Sequence, residues 1–234
     1  MSSERSSSTG TRRQTLVFTT STERGYRRLA SFIEETQGLF AVPIPRNVCQ
    51  ALLEGRGLPE LGIPGGYIRL WHPILRLLRR LEGRIHCYAG VVDPAEVRSR
   101  FAEIASLLIK ADVYDRIDPE EWVTAFKREV KPIQVIGDFV VVDNYVDAYL
   151  ESRRNKDADY ITLDEIVPTP FDLLTLISLN ELPLRLLQPV VRFAVVFFNE
   201  YLLKSPTITR AYRMLKRDEE YRVFLEENNI RIIR

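Results

Sequence analysis

Thr20, Ser21, Thr22 and Arg24 are the best candidate group of phosphate-binding side-chain types in the sequence, with Arg28 one turn further on. Hydroxyls and guanidinium groups hydrogen-bond oxyanions, and Arg does so through a planar, bidentate fork. The group follows Thr15–Thr19, a Leu/Val/Phe/Thr run that reads as a buried strand. It opens a helix running to about Gln37, with Thr20 and Glu23 at the spacing of a capping box. A helix N-terminus offers unpaired amides and the positive end of a dipole, both favourable to an anion. In an open α/β sheet such a turn sits at the carboxyl end of a strand, where ligands bind. Capping alone also accounts for Thr20 and Glu23. The loop matches neither the P-loop pattern nor GxGxxG, so it carries no nucleotide fingerprint.

A second basic group, Arg76, Arg79 and Arg80, has helical spacing, with Arg69 and Arg84 near its ends. Ile74, Leu75, Leu77, Leu78 and Leu81 cover the other side of that helix. The functional expectation for Arg76, Arg79, Arg80 and Arg84 is contact with a nucleic-acid backbone. The plainer one is a solvated face that pairs with acidic segments elsewhere. No aromatic RNA-recognition motif and no helix-turn-helix signal supports base reading.

Two cysteines, Cys49 and Cys87, and two histidines, His72 and His86, are too few and too scattered for a zinc site or a disulfide framework. Zinc, haem and iron–sulfur centres are not expected; a carboxylate-held magnesium site stays open. His86 and Cys87 are neighbours in a strand candidate and point to opposite faces, which makes a poor dyad. His86 reads instead as a satisfied core residue. Asp118, Glu120 and Glu121 suit a helix N-terminus, and Asp138 suits a turn. Asp112, Asp115 and Asp143 could act together only if folding joined them.

The elements that must position these groups alternate. Strand candidates at Leu39–Pro43 and Arg84–Ala89 are separated by a short helix at Asn47–Glu54, a Gly/Pro-rich loop over 55–66 and a helix starting at Pro73. Asp93-Pro94 and Asp118-Pro119 each place a cap and a first-turn proline ahead of an amphipathic helix. Ile133–Ile136 and Phe139–Val142, split by Gly137-Asp138, read as a hairpin, then a helix to about Ser152 and a charged linker over Arg153–Asp159. Pro168-Thr169-Pro170 marks a boundary, beyond which helices are predicted at Phe171–Leu182, Pro189–Lys204, Pro206–Lys216 and Glu219–Glu227. Ile230–Arg234 is a candidate terminal strand. The fold class that follows is α/β: a small, partly parallel sheet covered by helices over 14–167, then an all-helical part over 168–234. Residues 1–13 read as a disordered, Ser-rich tail.

The opening order, a strand, a charged helix and then Leu39-Phe40-Ala41-Val42-Pro43, resembles the start of the TraB/ChaN-like superfamily. That pattern implies a His or Glu near the end of the first strand and an acidic residue ending the second. Thr19–Thr22 and Pro43–Pro45 hold those places here, so the resemblance brings no function and no site residues.

Charge is segregated along the chain. Residues 1–90 carry 13 Lys/Arg against 7 Asp/Glu, residues 91–182 carry 10 against 19, and residues 183–234 carry 10 against 6, although the whole chain has a net charge of only +1. Arg outnumbers Lys 27 to 6, which favours bidentate anion contacts. The tail has no apolar core of a secretory signal, and Pro189–Phe198 falls short of the roughly 20 apolar residues of a membrane helix. A cytoplasmic protein without a membrane partner is therefore expected. The leading functional expectation is a non-enzymatic binding or regulatory protein for a phosphate-bearing ligand or nucleic acid. The alternatives are a hydrolase or transferase acting on a phosphorylated small molecule, and a scaffold subunit. The aromatic C-terminal helices suit packing within the chain, in a homo-oligomer or against a protein partner.

Overall fold

Short runs of Val, Ile and Phe alternate with amphipathic helices, and this pattern builds a parallel sheet. The structure, a computed structural model, describes residues 14–57, 61–63, 65–81 and 83–234; the Ser-rich tail lies outside them. The strands are β1 (Thr15–Phe18), β2 (Phe40–Pro45), β3 (Ile85–Ala89), β4 (Phe139–Val142) and β5 (Asp159–Thr162). Their order is β3-β2-β4-β1-β5, and every neighbouring pair is parallel. The helices are α1 (Glu23–Glu35), α2 (Arg46–Leu53), α3 (Gly65–Arg80), α4 (Pro94–Tyr114), α5 (Pro119–Phe126) and α6 (Tyr145–Arg154), then α7 (Pro170–Ser178), α8 (Leu187–Val196), α9 (Ile208–Arg217) and α10 (Glu219–Glu227). The α/β class and the all-helical C-terminal part are as the sequence suggests.

Alternation along β1 and β4 decides which layer each helix joins. Val17 and Val141 face α1, α2 and α3, while Leu16, Phe18, Val140 and Val142 face α6. The chain leaves β1 through α1 on one face and leaves the adjacent β4 through α6 on the other. That divergence between neighbouring strands opens a crevice at their carboxyl ends. A separate apolar core joins Leu107, Leu108, Trp122 and Phe126 of α4 and α5 to α7–α10. The C-terminal aromatic residues Phe193, Phe197, Phe198 and Phe224 pack in or against this core.

Several expectations are corrected. No hairpin forms: β4 pairs in parallel with β1 and β2, while the stretch 127–138 holds no strand and Ile136 is 85% exposed. The charged linker ends at Asp159, where the edge strand β5, mostly exposed, begins. Helix α3 begins at Gly65, and Pro73 lies inside it. An interior proline costs ~3 kcal/mol. Burial of Leu70 and Trp71, each contributing about 1.5–3 kcal/mol, offsets that cost. The C-terminal strand reduces to one antiparallel bridge between Ile233 and Ile166. Cys49 on α2 and Cys87 on β3 form a disulfide with a Cα–Cα distance of 6.4 Å, which removes both sulfurs from any dyad. His86 is exposed rather than part of the core. Among the described residues, no helix is long and apolar enough to cross a membrane.

Candidate functional site

The turn after β1 packs more tightly than its composition suggests. Thr19, Thr20 and Thr22 are all buried, and only Ser21 is exposed. The Thr20 carbonyl accepts the Thr22 amide at 2.7 Å, and the two hydroxyls lie 2.9 Å apart. Thr22, not Thr20, caps α1 by accepting the Gly25 amide at 3.0 Å. Gly25 allows this closeness: a Cβ there would lie 2.2 Å from the Thr20 carbonyl oxygen. Glu23 does not reach back to Thr20. It accepts the Thr209 amide at 3.0 Å and the Thr209 hydroxyl, and its own amide as well. Thr209 Oγ1 in turn accepts the Arg24 amide at 3.3 Å. The amides of residues 22–25 are thus engaged within the chain, and no open amide cradle exists at those positions.

Exposed arginines lie beside this closed corner. Thr207 caps α9 by accepting the Arg210 amide at 3.2 Å, and Ala211 and Leu215 bury its inner face. That places Arg210, Arg213 and Arg217 on the exposed side at spacings of three and four residues. The Glu23–Thr209 link holds this side against the start of α1. A cleft of about 740 Å³ results, lined by Glu23, Arg27, Arg210, Arg213, Met214 and Arg217. An adjoining depression of about 270 Å³ shares Thr209, Arg213 and Arg217, and adds Thr20, Thr22, Arg24 and Lys216.

The cleft's carboxylates are already neutralised or hydrogen-bonded. Glu165 meets Lys216 at 2.9 Å and Arg234 at 3.0 Å, and Asp164 meets Arg28 at 2.5 Å. Among the described residues, no carboxylate lies within ion-pair distance of Arg24, Arg210, Arg213 or Arg217. These four exposed guanidinium groups have no carboxylate partner among the described residues and face solvent.

The sequence-derived residues divide accordingly. Thr20, Thr22 and Arg24 line the adjoining depression. Ser21 turns the other way and hydrogen-bonds Asp143. Arg28 is held by Asp164 and the Leu163 carbonyl beside β5. Arg76 and Arg80 line a neighbouring groove with Arg27, and Arg80 pairs with Glu34. Arg79 donates to the Leu52 carbonyl at 2.9 Å. Arg84 donates to the Thr36 carbonyl at 2.5 Å and to Ile33 and Gly38 at 3.4 Å, which ties the end of α1 to β3. Sequence reasoning missed Arg210, Arg213 and Arg217; their helical spacing after the capping Thr207 was the available signal.

A second cavity of about 560 Å³ opens near the carboxyl ends of β2, β3 and β4. Asp143, Asp147 and Glu151 line it at helical spacing, yet each is in use. Arg128 holds Asp147 at 2.6 Å, Arg154 and Asn155 hold Glu151, and Tyr26 donates to Asp143 at 2.9 Å. Burial raises the Asp143 pKa, and the Tyr26 and Ser21 hydrogen bonds only partly oppose it. The described residues contain no group of three or more metal-ligand side chains placed to hold an ion.

No protein-family model matches the chain, and no curated protein or solved structure matches it either.

Proposed function

We propose that the protein is a non-enzymatic binding protein that holds a phosphate-bearing ligand in the cleft between the start of α1 and the exposed side of α9. The observation that supports this reading is the convergence of Arg24, Arg210, Arg213 and Arg217, none with a carboxylate partner among the described residues. Several unpaired guanidinium groups on one concave surface repel each other and gain from a multiply charged anion. Arg24 comes from α1 and Arg213 from α9, and both line the adjoining depression. Thr20 and Thr22 support the wall, and the bond between their hydroxyls uses one of the two O–H donors. Binding rather than catalysis is favoured because Glu23, Asp164 and Glu165 are each held by an amide, a hydroxyl or a cation of the protein itself.

Titration calorimetry with inorganic tripolyphosphate at about 50 mM salt tests this reading, since charge-assisted contacts are strongest at low ionic strength. The wild-type protein should bind, and R213A/R217A should bind at least about tenfold more weakly, each lost contact being worth roughly 1 kcal/mol or more. No heat of binding in the wild type, or equal affinity in the variant, would refute the assignment.

A further inference from the structure

The α1–α9 cleft does not end at α1. Arg27 lines that cleft and also a second groove of about 440 Å³ between α1 and α3, where it is joined by His72, Arg76 and Arg80. One stripe of α1 forms the shared floor: Glu23, Arg27, Ala30 and Glu34 recur at spacings of four, three and four residues. Both grooves therefore lie along the same helix face, with α9 at one end and α3 beside the other. We infer that the two form a single basic track for the sugar–phosphate backbone of a nucleic acid, bound without base reading. This rests on the proposed phosphate cleft and extends it.

Length is the first argument. Residues 23 to 34 span about 16 Å at 1.5 Å per residue. Successive phosphates of one strand of a duplex advance about 3.4 Å along its axis, so the stripe faces roughly five of them. A small phosphorylated metabolite would occupy only the α9 end and leave Arg76 outside its reach.

Charge is the second. Six arginines from three helices line the two grooves (Arg27, Arg76, Arg80, Arg210, Arg213 and Arg217), against the carboxylates of Glu23 and Glu34. Glu23 accepts from Thr209, and Glu34 pairs with Arg80, so each is engaged by the protein itself. The remaining positive charges are spread along the track rather than gathered at one point, which matches a polymer of evenly spaced charges.

The lining is the third. Neither groove is lined by Phe, Trp or Tyr; the non-charged lining is Thr, Met, Ala, Pro and Leu, with His72 beside them. Proteins that read the bases of single-stranded RNA stack them, splayed out, on aromatic rings. Their absence from this lining leaves backbone contacts as the means of recognition, and sequence tolerance as the consequence.

Fluorescence anisotropy with labelled oligonucleotides of about 5 and about 20 nucleotides, and a duplex of the longer length, tests the track. R76A/R80A should weaken the longer ligand about tenfold and change tripolyphosphate binding less than about twofold. R213A/R217A should weaken both. Two unrelated sequences of equal length should bind within about twofold of each other. Unchanged thermal melting of both variants, which alter exposed side chains only, shows that they remain folded. If R76A/R80A binds the longer oligonucleotide as the wild type does, the track is overturned while the α9 cleft stands. A tenfold or greater sequence preference also overturns it. If neither tripolyphosphate nor any oligonucleotide binds, both the track and the cleft fail.

Discussion

At the scale of single residues, the corner after β1 shows how composition and geometry part company. Thr20 and Glu23 have capping-box spacing, but Thr22 caps and Glu23 reaches across to Thr209. No local rule reveals this, because the partner is 186 residues away in the chain. Gly25 is where the tight packing shows in a mutant. Gly25→Ala would drive a Cβ into the Thr20 carbonyl, at 2.2 Å, and should cost about 1–3 kcal/mol in urea unfolding. A neutral result would mean the corner is looser than described. Arg84 separates structure from binding. R84A removes charge-assisted bonds to the end of α1 and should lower stability by about 1.5–3 kcal/mol while leaving anion affinity unchanged. Loss of affinity without loss of stability would return Arg84 to the binding surface.

Asp143 supplies a pH dependence with a definite sign. Burial raises its pKa above the ordinary 3.8, so the folded state holds that proton more tightly than the unfolded chain does. Its contribution to stability is therefore fully present below the unfolded value and is lost as pH rises through the folded one. D143N keeps an acceptor for Tyr26 without the charge. Between about pH 4 and 7, the stability difference between D143N and wild type should grow in favour of D143N. Urea midpoints measured across that range would show it; a difference that stays constant would mean Asp143 titrates as an exposed carboxylate does.

Among elements, legibility follows how local the determining interactions are. The caps at Asp93, Asp118 and Thr169 act within a few residues, and α4, α5 and α7 start where those signals stand. The false hairpin has the opposite origin. Gly137-Asp138 between two apolar runs satisfies every short-range rule, but β4 finds better partners in β1 and β2, far away in sequence. The edge strand β5 was hidden because its mostly exposed side chains lack the buried, apolar pattern of a parallel strand. Pairing of Cys49 with Cys87 was equally invisible, since it depends on α2 packing beside β3. That bridge closes a separation of 38 residues, for which the chain-entropy estimate is about 4 kcal/mol. C49A/C87A, or wild type under reductant, should show a lower urea midpoint by a corresponding amount. Equal midpoints with and without reductant would indicate that the bridge is not formed in solution.

For the whole molecule, the segregation of charge along the chain suggested either faces that complement each other or a basic surface, and gave no location for the latter. The sequence drew attention to the basic N-terminal half, whereas the cleft needs both ends of the chain: α1 supplies Arg24 and Arg27, and α9 supplies Arg210, Arg213 and Arg217. Convergence of elements so far apart is a property of the tertiary fold, and only the individual helix faces were readable beforehand. The acidic middle segment does not simply neutralise them, since Asp164 and Glu165 are held by Arg28, Lys216 and Arg234.

Salt dependence probes this arrangement most directly, because each arginine–phosphate contact releases a counterion. Affinity for a duplex of about 20 base pairs should fall steeply between about 50 and 200 mM salt, with a log–log slope near −4 to −5. In R210A/R213A/R217A the slope should shrink by about 3. An affinity that ignores salt, or a triple variant with the wild-type slope, would show that guanidinium groups converging from opposite ends of the chain do not hold phosphate.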